Sequence, residues 1–454
     1  MRRTLAATLA LAATLAAGGA AAGPPVSQFK LGNGLEVVVQ TDHRTPVVAV
    51  NLWYHVGSKD EPAGKNGFAH LFEHLMFQGS RHVPEDSFFQ LLERAGGSDM
   101  NGTTNTDRTN YYEVVPSRQL ELALWLESDR MAFLLDHVDD KTLSSQRDVV
   151  KNERRQNYED APYGLVRQFV RAALFPEGHP YHRLTIGTPQ DLDAASLADV
   201  RAFFKRYYVP NNATLVLAGD VDEARARALT EKWFGPIVAG PAAQSLRAPA
   251  PVPRDKEQTL SIEAGVELAR VSVSWVTPPG FAPGDGELDG LSQVLSTGKS
   301  SRLYKRLVHD AQVAQDVSAY QASSLLASQF EISATVQRGK QPSEVLAMID
   351  EELDKISREG PTDDELARAK ARLVADLMFS VERVGSRANQ INAYAEGAGD
   401  PAYFDKDVAR YRALSRESMQ RAAATHLRRS ARVVAIVTPT PGAPKAGRLA
   451  GGAP

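Results

Sequence analysis

His70, Glu73 and His74 stand in the order His-x-x-Glu-His within the segment Gly67-Phe-Ala-His-Leu-Phe-Glu-His-Leu-Met-Phe77. The segment has to be helical: Phe68, Leu71, Phe72, Leu75 and Met76 recur at i, i+3, i+4, i+7 and i+8 and make one apolar stripe. One turn apart on a different face, the two imidazoles can converge on a single metal ion. Glu73, three residues after His70, is placed to reach a water held by that metal. Two imidazoles, one carboxylate and an open fourth position make a hydrolytic zinc site. Two histidines at i, i+4 alone are an ordinary helix face. The glutamate between them, on a helix whose other side is apolar, is what argues for an inverted zinc motif.

Such a site needs a third protein ligand. Residues 140–159 read as a helix, with Asp139 and Asp140 as N-cap candidates and a stop at Asp160-Ala-Pro162. On it Gln146, Val149, Val150 and Glu153 share one face. Glu153 therefore projects from the apolar side of a charged helix, which is costly for a carboxylate unless it is paired or bound to metal. Pairing with Arg154 or Arg155 and ligation of the metal both satisfy it, and the residues alone leave the two open.

The elements around these residues follow from pattern and ends. The chain starts Met1-Arg2-Arg3, continues through a short Leu/Ala-rich stretch and reaches Gly18-Gly-Ala-Ala-Ala-Gly23, the plan of a bacterial secretory signal peptide at 1–22 cut near Ala22. Its apolar middle is too short for a stable membrane anchor, and no later segment reads as a transmembrane helix. The chain has no cysteine, which excludes thiolate ligands, a thiol nucleophile and a lipidated N-terminus. Net charge is −3, and removal of Arg2 and Arg3 with the leader lowers it by two, to −5. No basic cluster suits nucleic acid. A periplasmic or secreted protein is expected, and 454 residues suffice for two domains.

Strand patterns occur at 35–40 and 47–54, and the polar stretch Asn101–Val115 reads as one strand that turns richer in β-formers. Helices are expected at 86–95, 119–137 and 140–159, then a strand at 214–218 and a helix near 222–234. The stretch 239–256, rich in proline and alanine, reads as a linker. Beyond it the same order recurs: strands at 258–276, a helix at 287–308, strands at 315–337, helices at 342–357, 363–380, 385–396 and 415–427, and a strand at 433–437. The expected fold is α+β, with two homologous domains at 26–238 and 257–438, each a mainly antiparallel sheet covered by helices. The Gly/Pro/Ala-rich tail 439–454 is expected to be disordered.

Trp53-Tyr-His-Val-Gly-Ser58, Glu61-Pro62, Gly67 to His74 and Gly79-Ser80 together resemble the signature of the pitrilysin/insulysin family of zinc metallopeptidases. Gly96-Gly97, Asn101, Thr104, Thr109, Tyr111, the run Asp148 to Arg154, Gly219-Asp220 and Ser300-Ser-Arg-Leu303 match in family order across nearly the whole mature chain. The resemblance implies a half-clamshell fold that holds one zinc per chain on His70, His74 and Glu153, with Glu73 as general base. It implies a metalloendopeptidase whose Asn101–Tyr111 strand is the sheet edge to which an extended peptide adds, with Asn101, Gly102, Thr103 and Thr104 in contact with substrate. Two departures stand out. Gln146, expected behind the metal ligands, replaces a glutamate that many members carry. Val308 and Gln315 fall where complete members carry an Arg and a Tyr that hold the substrate carbonyl. With a chain half the length of single-chain members, this implies a heterodimer with a homologous subunit bearing the Arg/Tyr pair, a homodimer being the poorer fit.

Other motifs carry less. Thr297-Gly-Lys-Ser300 lacks the spacing and preceding strand of a phosphate loop. His179-Pro-Tyr-His182 reads as a turn with solvated imidazoles instead of a second metal site. Against the peptidase stands a non-proteolytic scaffold subunit of the same fold, which has no use for Glu73 beside two ligands.

Overall fold

The computed structural model describes residues 25–241, 252 and 254–451. The leader expected at 1–22 and its cleavage point lie outside them, as does most of the expected linker. In chain order the first half holds strands β1 (Val26–Lys30), β2 (Glu36–Thr41), β3 (Val47–Tyr54), β4 (Ser98–Thr104), β5 (Thr109–Pro116) and β6 (Ala213–Gly219). Its helices are α1 (Phe68–Leu75), α2 (Ser87–Arg94), α3 (Leu120–Phe133), α4 (Asp140–Arg154), α5 (Val166–Leu174), α6 (Pro189–Asp193), α7 (Leu197–Tyr207) and α8 (Glu223–Trp233). The second half holds β7 (Gln258–Ala264), β8 (Arg270–Thr277), β9 (Ala314–Ala322), β10 (Ser328–Val336), β11 (Arg432–Pro439) and β12 (Arg448–Leu449). Its helices are α9 (Asp285–Ser296), α10 (Pro342–Glu359), α11 (Asp363–Ser380), α12 (Val384–Gly397), α13 (Phe404–Arg412) and α14 (Arg416–His426).

The sheets run β1-β2-β6-β3-β5-β4 and β12-β7-β11-β8-β10-β9. Neighbours are antiparallel except for β2 with β6 and β7 with β11. The inner five strands of the two orders correspond, down to the single parallel pair and the hairpin at one edge, while the outermost strand comes from the start of the first half (β1) and from the end of the second (β12), so the α+β architecture of two like domains holds.

Strand sequences such as Val47-Val-Ala-Val50 and Val433-Val-Ala-Ile-Val437 are apolar at consecutive positions because both faces of each sheet are covered. In the first sheet Val37, Val39, Val48, Val50, Leu215 and Leu217 face the main core with α1 and α3. Their neighbours Val38, Ala49, Val114, Val216 and Ala218 face the other way, against Val384, Ala388 and Ile391 of α12, a helix of the second half. The exchange is mutual: Val166, Val170 and Leu174 of α5 pack on Ile262, Val433, Ala435 and Val437 of the second sheet. Arg387 fixes the α12 contact, donating to Gln40 Oε1 at 2.8 Å and Asp42 Oδ2 at 2.7 Å. No helix among the described residues is long and apolar enough to cross a membrane.

Four expectations change. Asn101–Val115 is a hairpin, because Asn105 Oδ1 accepts from the N–H groups of Asp107 and Arg108 and closes a turn between β4 and β5. Tyr111 thus lies inside the sheet on β5, and of the two hairpin strands β4 is the edge. The helix expected at 287–308 ends at Ser296 and resumes as a wide turn at Tyr304–Asp310. Helices α5, α6 and α7 occupy a region to which the pattern assigns none.

The tail, finally, is ordered as far as residue 451. Thr440 and Gly265 exchange backbone bonds with Ala264 and Pro444, Ala450 donates to Ser261, and Lys445 and Ala446 accept from Tyr163 and Leu165 ahead of α5. The tail therefore ties the exchanged helix to the second sheet, and Ala446 is buried. Truncation after Pro439 should lower the unfolding free energy by about 2–4 kcal/mol, since each net hydrogen bond contributes ~0.5–1.5 kcal/mol. Chemical denaturation measures this, and an unchanged midpoint would show that the tail stabilises nothing.

Candidate active site

The metal-motif helix α1 starts at Gly67, which has φ of +102° and offers no side-chain cap. A Cβ there would stand 2.9 Å from the Gly187 Cα and 3.1 Å from the Ile186 carbonyl oxygen, so glycine is required by conformation and by space. The missing cap comes from Glu61, six residues earlier. Its carboxylate accepts from the N–H of Gly67 at 3.0 Å and of Ala69 at 2.9 Å, and from Asn66 Nδ2 at 2.8 Å. Its oxygens satisfy donors left free at the helix start, and burial, only partly offset by these bonds, pushes its pKa up to about 8. The apolar stripe, Phe68, Leu71, Phe72 and Leu75, is buried in the first core as expected.

His70 and His74 project from α1 with ring centroids 4.9 Å apart. Helix α4, capped by Asp139 Oδ1 on the Thr142 N–H at 2.8 Å, brings Glu153 against them. Glu153 Oε2 lies 3.3 Å from His74 Nε2 and 3.6 Å from His70 Nε2. One ligand atom from each of the three lies within 4.8 Å of the others, a spacing that one cation can bridge. Of the alternatives open at Glu153, pairing with its neighbours is not what forms: Arg154 turns to Glu159 at 2.9 Å and Arg155 to Asp160 at 3.9 Å.

The electrostatics follow from depth. Burial lowers His70 to about 4, against the pull of Glu153. The hydrogen bond from His74 holds Glu153 below the ordinary carboxylate range. Burial raises Glu73, partly offset by a hydrogen bond from the Thr104 hydroxyl on β4. The Nδ1 of His70 is buried without a hydrogen-bond partner among the described residues, so an acceptor orienting that ring is not part of this arrangement. Gln146 is buried on α4 two turns before Glu153, and its amide makes no hydrogen bond to the ligand set.

Of the four residues expected to meet substrate, Gly102 alone is fully buried, and its position explains its identity. A Cβ at Gly102 would stand 3.1 Å from Glu73 Cγ, 3.0 Å from Phe77 Cε2 and 3.1 Å from Tyr111 Cδ1. The edge strand thus lies directly on Glu73. Asn101 is exposed, while Thr103 and Thr104 are half-buried; the Thr103 hydroxyl donates to Asn110 Oδ1 at 2.6 Å. In the second domain, Val308 packs against the core and Gln315 is exposed at the start of β9. His179 Nδ1 accepts from the Tyr181 N–H at 3.0 Å and His182 Nδ1 bonds the Phe175 carbonyl, a turn as expected, but His179 is buried against Phe175 instead of solvated. Glu61 is the functional residue whose role the local pattern does not reveal, because its loop has no helical period linking it to Gly67.

The insulinase model of peptidase family M16 matches residues 36–188, and the M16 inactive-domain model matches residues 194–373. The chain belongs to this family. Zinc protease PqqE of Helicobacter pylori is 30% identical over 371 residues, which cover 79% of this chain and 81% of the relative. The crystal structure of a protease from Helicobacter pylori superimposes with a TM-score of 0.84 at 26% identity, covering 92% of this chain and all of that one (100%). The first half of the periplasmic protease PqqL from Escherichia coli matches at a TM-score of 0.75 and 18% identity, covering 91% of this chain and 92% of that one. Against the complete PqqL, the match covers 48% of that chain.

Replacing Glu61 by Ala removes the side-chain acceptors of two backbone N–H groups at the start of α1 and should cost about 1–3 kcal/mol of stability. Urea unfolding of Glu61→Ala beside wild type measures this, and identical midpoints would mean that α1 needs no cap.

Proposed function

We propose that this protein is a zinc-dependent metalloendopeptidase acting on peptides or unfolded polypeptides held in extended form. The observation that carries this reading is the convergence of His70, His74 and Glu153 from two helices, beside a half-buried Glu73, under an open sheet edge. Two imidazole nitrogens and a carboxylate oxygen are the donor set of a catalytic zinc site, and one zinc per chain fits them. When bound there, zinc supplies Lewis acidity toward a scissile carbonyl and lowers the pKa of a water.

Glu73 then acts as general base, taking the proton of the attacking water and delivering it to the leaving amine. Its raised proton affinity suits both halves of that transfer. The unpaired side of β4, Asn101 to Thr104, offers backbone donors and acceptors to an added strand, so the peptide is gripped largely without regard to its side chains. Gly102 keeps that strand close to Glu73.

Val308 and Gln315 can supply neither a cation nor a phenol to a developing oxyanion. We therefore read this chain as the zinc-bearing half of a heterodimer, completed by a homologous subunit with the Arg/Tyr pair. The chain's match to about half of PqqL is in keeping with this. Export to the periplasm accords with the leader-like N-terminus and with the likeness to PqqL, a periplasmic protease.

Glu73→Gln should retain about one zinc per chain while abolishing hydrolysis of an unstructured peptide, since only the proton carrier is lost. Metal analysis and cleavage assays, with and without the candidate partner, make the test. Retained cleavage in Glu73→Gln would remove Glu73 as base; absence of zinc and of activity in wild type with its partner would favour a scaffold. Because losing one oxyanion donor costs about 10²–10³ in rate, the isolated chain should be at least that much slower than the pair. Equal rates would end the heterodimer reading.

A further inference from the structure

A recess of about 360 Å³ opens where the C-terminal end of β4 meets the second domain. Thr104, which hydrogen-bonds Glu73, lines it, as does Tyr158, five residues after Glu153. Ser323 and Ser324, between β9 and β10, face them from the second domain. Into this lining α5 sends Arg167 and Arg171, one helical turn apart.

Arg171 is only 8% exposed, yet its sole hydrogen bond among the described residues runs from Nε to the Tyr181 carbonyl at 3.0 Å. Among the same residues neither arginine forms an ion pair. Two acids within electrostatic reach are engaged elsewhere. Asp107 accepts from the Tyr181 hydroxyl and the Leu325 N–H, and Glu331 accepts from Tyr320 and Gln329. Burial, with Arg167 nearby, lowers Arg171 to about 10, so it stays cationic at neutral pH. The terminal N–H groups of Arg171 have no acceptor among the described residues and are open to the recess, where an entering anion can meet them.

We propose that this recess is a substrate subsite that binds a peptide carboxylate through Arg167 and Arg171. The inference rests on the peptidase reading above. A strand advances about 3.3 Å per residue, so Thr104 lies roughly 7 Å along the edge from Gly102, which touches Glu73. A peptide paired to β4, with its scissile bond at Glu73, brings a group two or three residues away to the recess. The forked donors of arginine match a carboxylate in a way that a neutral amide cannot. The carboxylate is either the C-terminus of a short peptide or an Asp or Glu side chain.

The test uses a set of fluorogenic peptides on the full chain with its partner. The set has free or amidated C-termini, and Glu or Gln at the second and third positions on either side of the cleaved bond. The expected result is a KM about tenfold lower for the carboxylate-bearing peptides with kcat unchanged, the mark of binding uniform through the reaction. Arg167 is exposed, so Arg167→Gln is safe for the fold; it should erase the advantage, and Arg167→Glu should reverse it in favour of Lys-bearing peptides. Loss of the advantage on amidation identifies the terminus as the source, and loss on Glu-to-Gln exchange identifies a side chain. Equal kcat/KM for charged and neutral peptides, or an advantage untouched by Arg167→Gln, would overturn the subsite and leave the peptidase reading standing. Anisotropy titration of the same peptides against Glu73→Gln protein separates the two claims. An Arg167-dependent preference there upholds the subsite even if wild type cleaves nothing, and its absence overturns it.

Discussion

The candidate centre depends on the packing of α4 against α1, which lodges one carboxylate between two imidazoles. Three lone-pair donors converge there. Without a metal Glu153 pairs with His74, and a bound cation would take both as ligands, so site formation and metal affinity are thermodynamically coupled. The fold provides the rigidity this needs. Glu61 anchors the start of α1, Phe68 and Phe72 bury its apolar face, and Asp139 caps the start of α4. Surroundings then separate the acids: the hydrogen bond from His74 holds Glu153 below the ordinary carboxylate range, while burial raises Glu73. Two carboxylates beside the same histidines are thereby given different capacities by environment.

A second constraint is the double cover of each sheet. Because α12 and α5 cross to the opposite domain, neither sheet has a free face. The edge strand β4 is left with unpaired backbone, held flush against Glu73 through Gly102. An edge of this kind is a hazard unless short, bulged or used. Here it is seven residues long and its pairing with β5 is interrupted between Ser98 and Asn101. That leaves a regular stretch of only Asn101–Thr104, the part that faces the centre.

The centre was legible from sequence because its chemistry and its helix share one local pattern. The stripe from Phe68 to Met76 sets the helix, and the helix sets the distance between His70 and His74. Glu153 was legible only as a choice between ion pair and ligand, since what decides is a contact between segments some eighty residues apart. Glu61 was illegible in role, because it caps a helix through a loop without periodicity. The Asn105 turn was masked by β-formers on both sides. Composition misjudged the tail: glycine and proline at 439–451 serve turns that backbone bonds then fasten to the second sheet. The exchange of α5 and α12 cannot be read from their own apolar stripes, which specify a buried face but not the sheet that buries it.

X-ray absorption at the zinc edge on purified, zinc-loaded protein tests the central claim most directly. The account predicts two imidazole nitrogens at about 2.0–2.1 Å and a carboxylate oxygen at a similar distance, with no sulfur. It further predicts that His70→Ala removes one imidazole from that shell. A zinc environment without imidazole scattering, or one unaltered by His70→Ala, would contradict it.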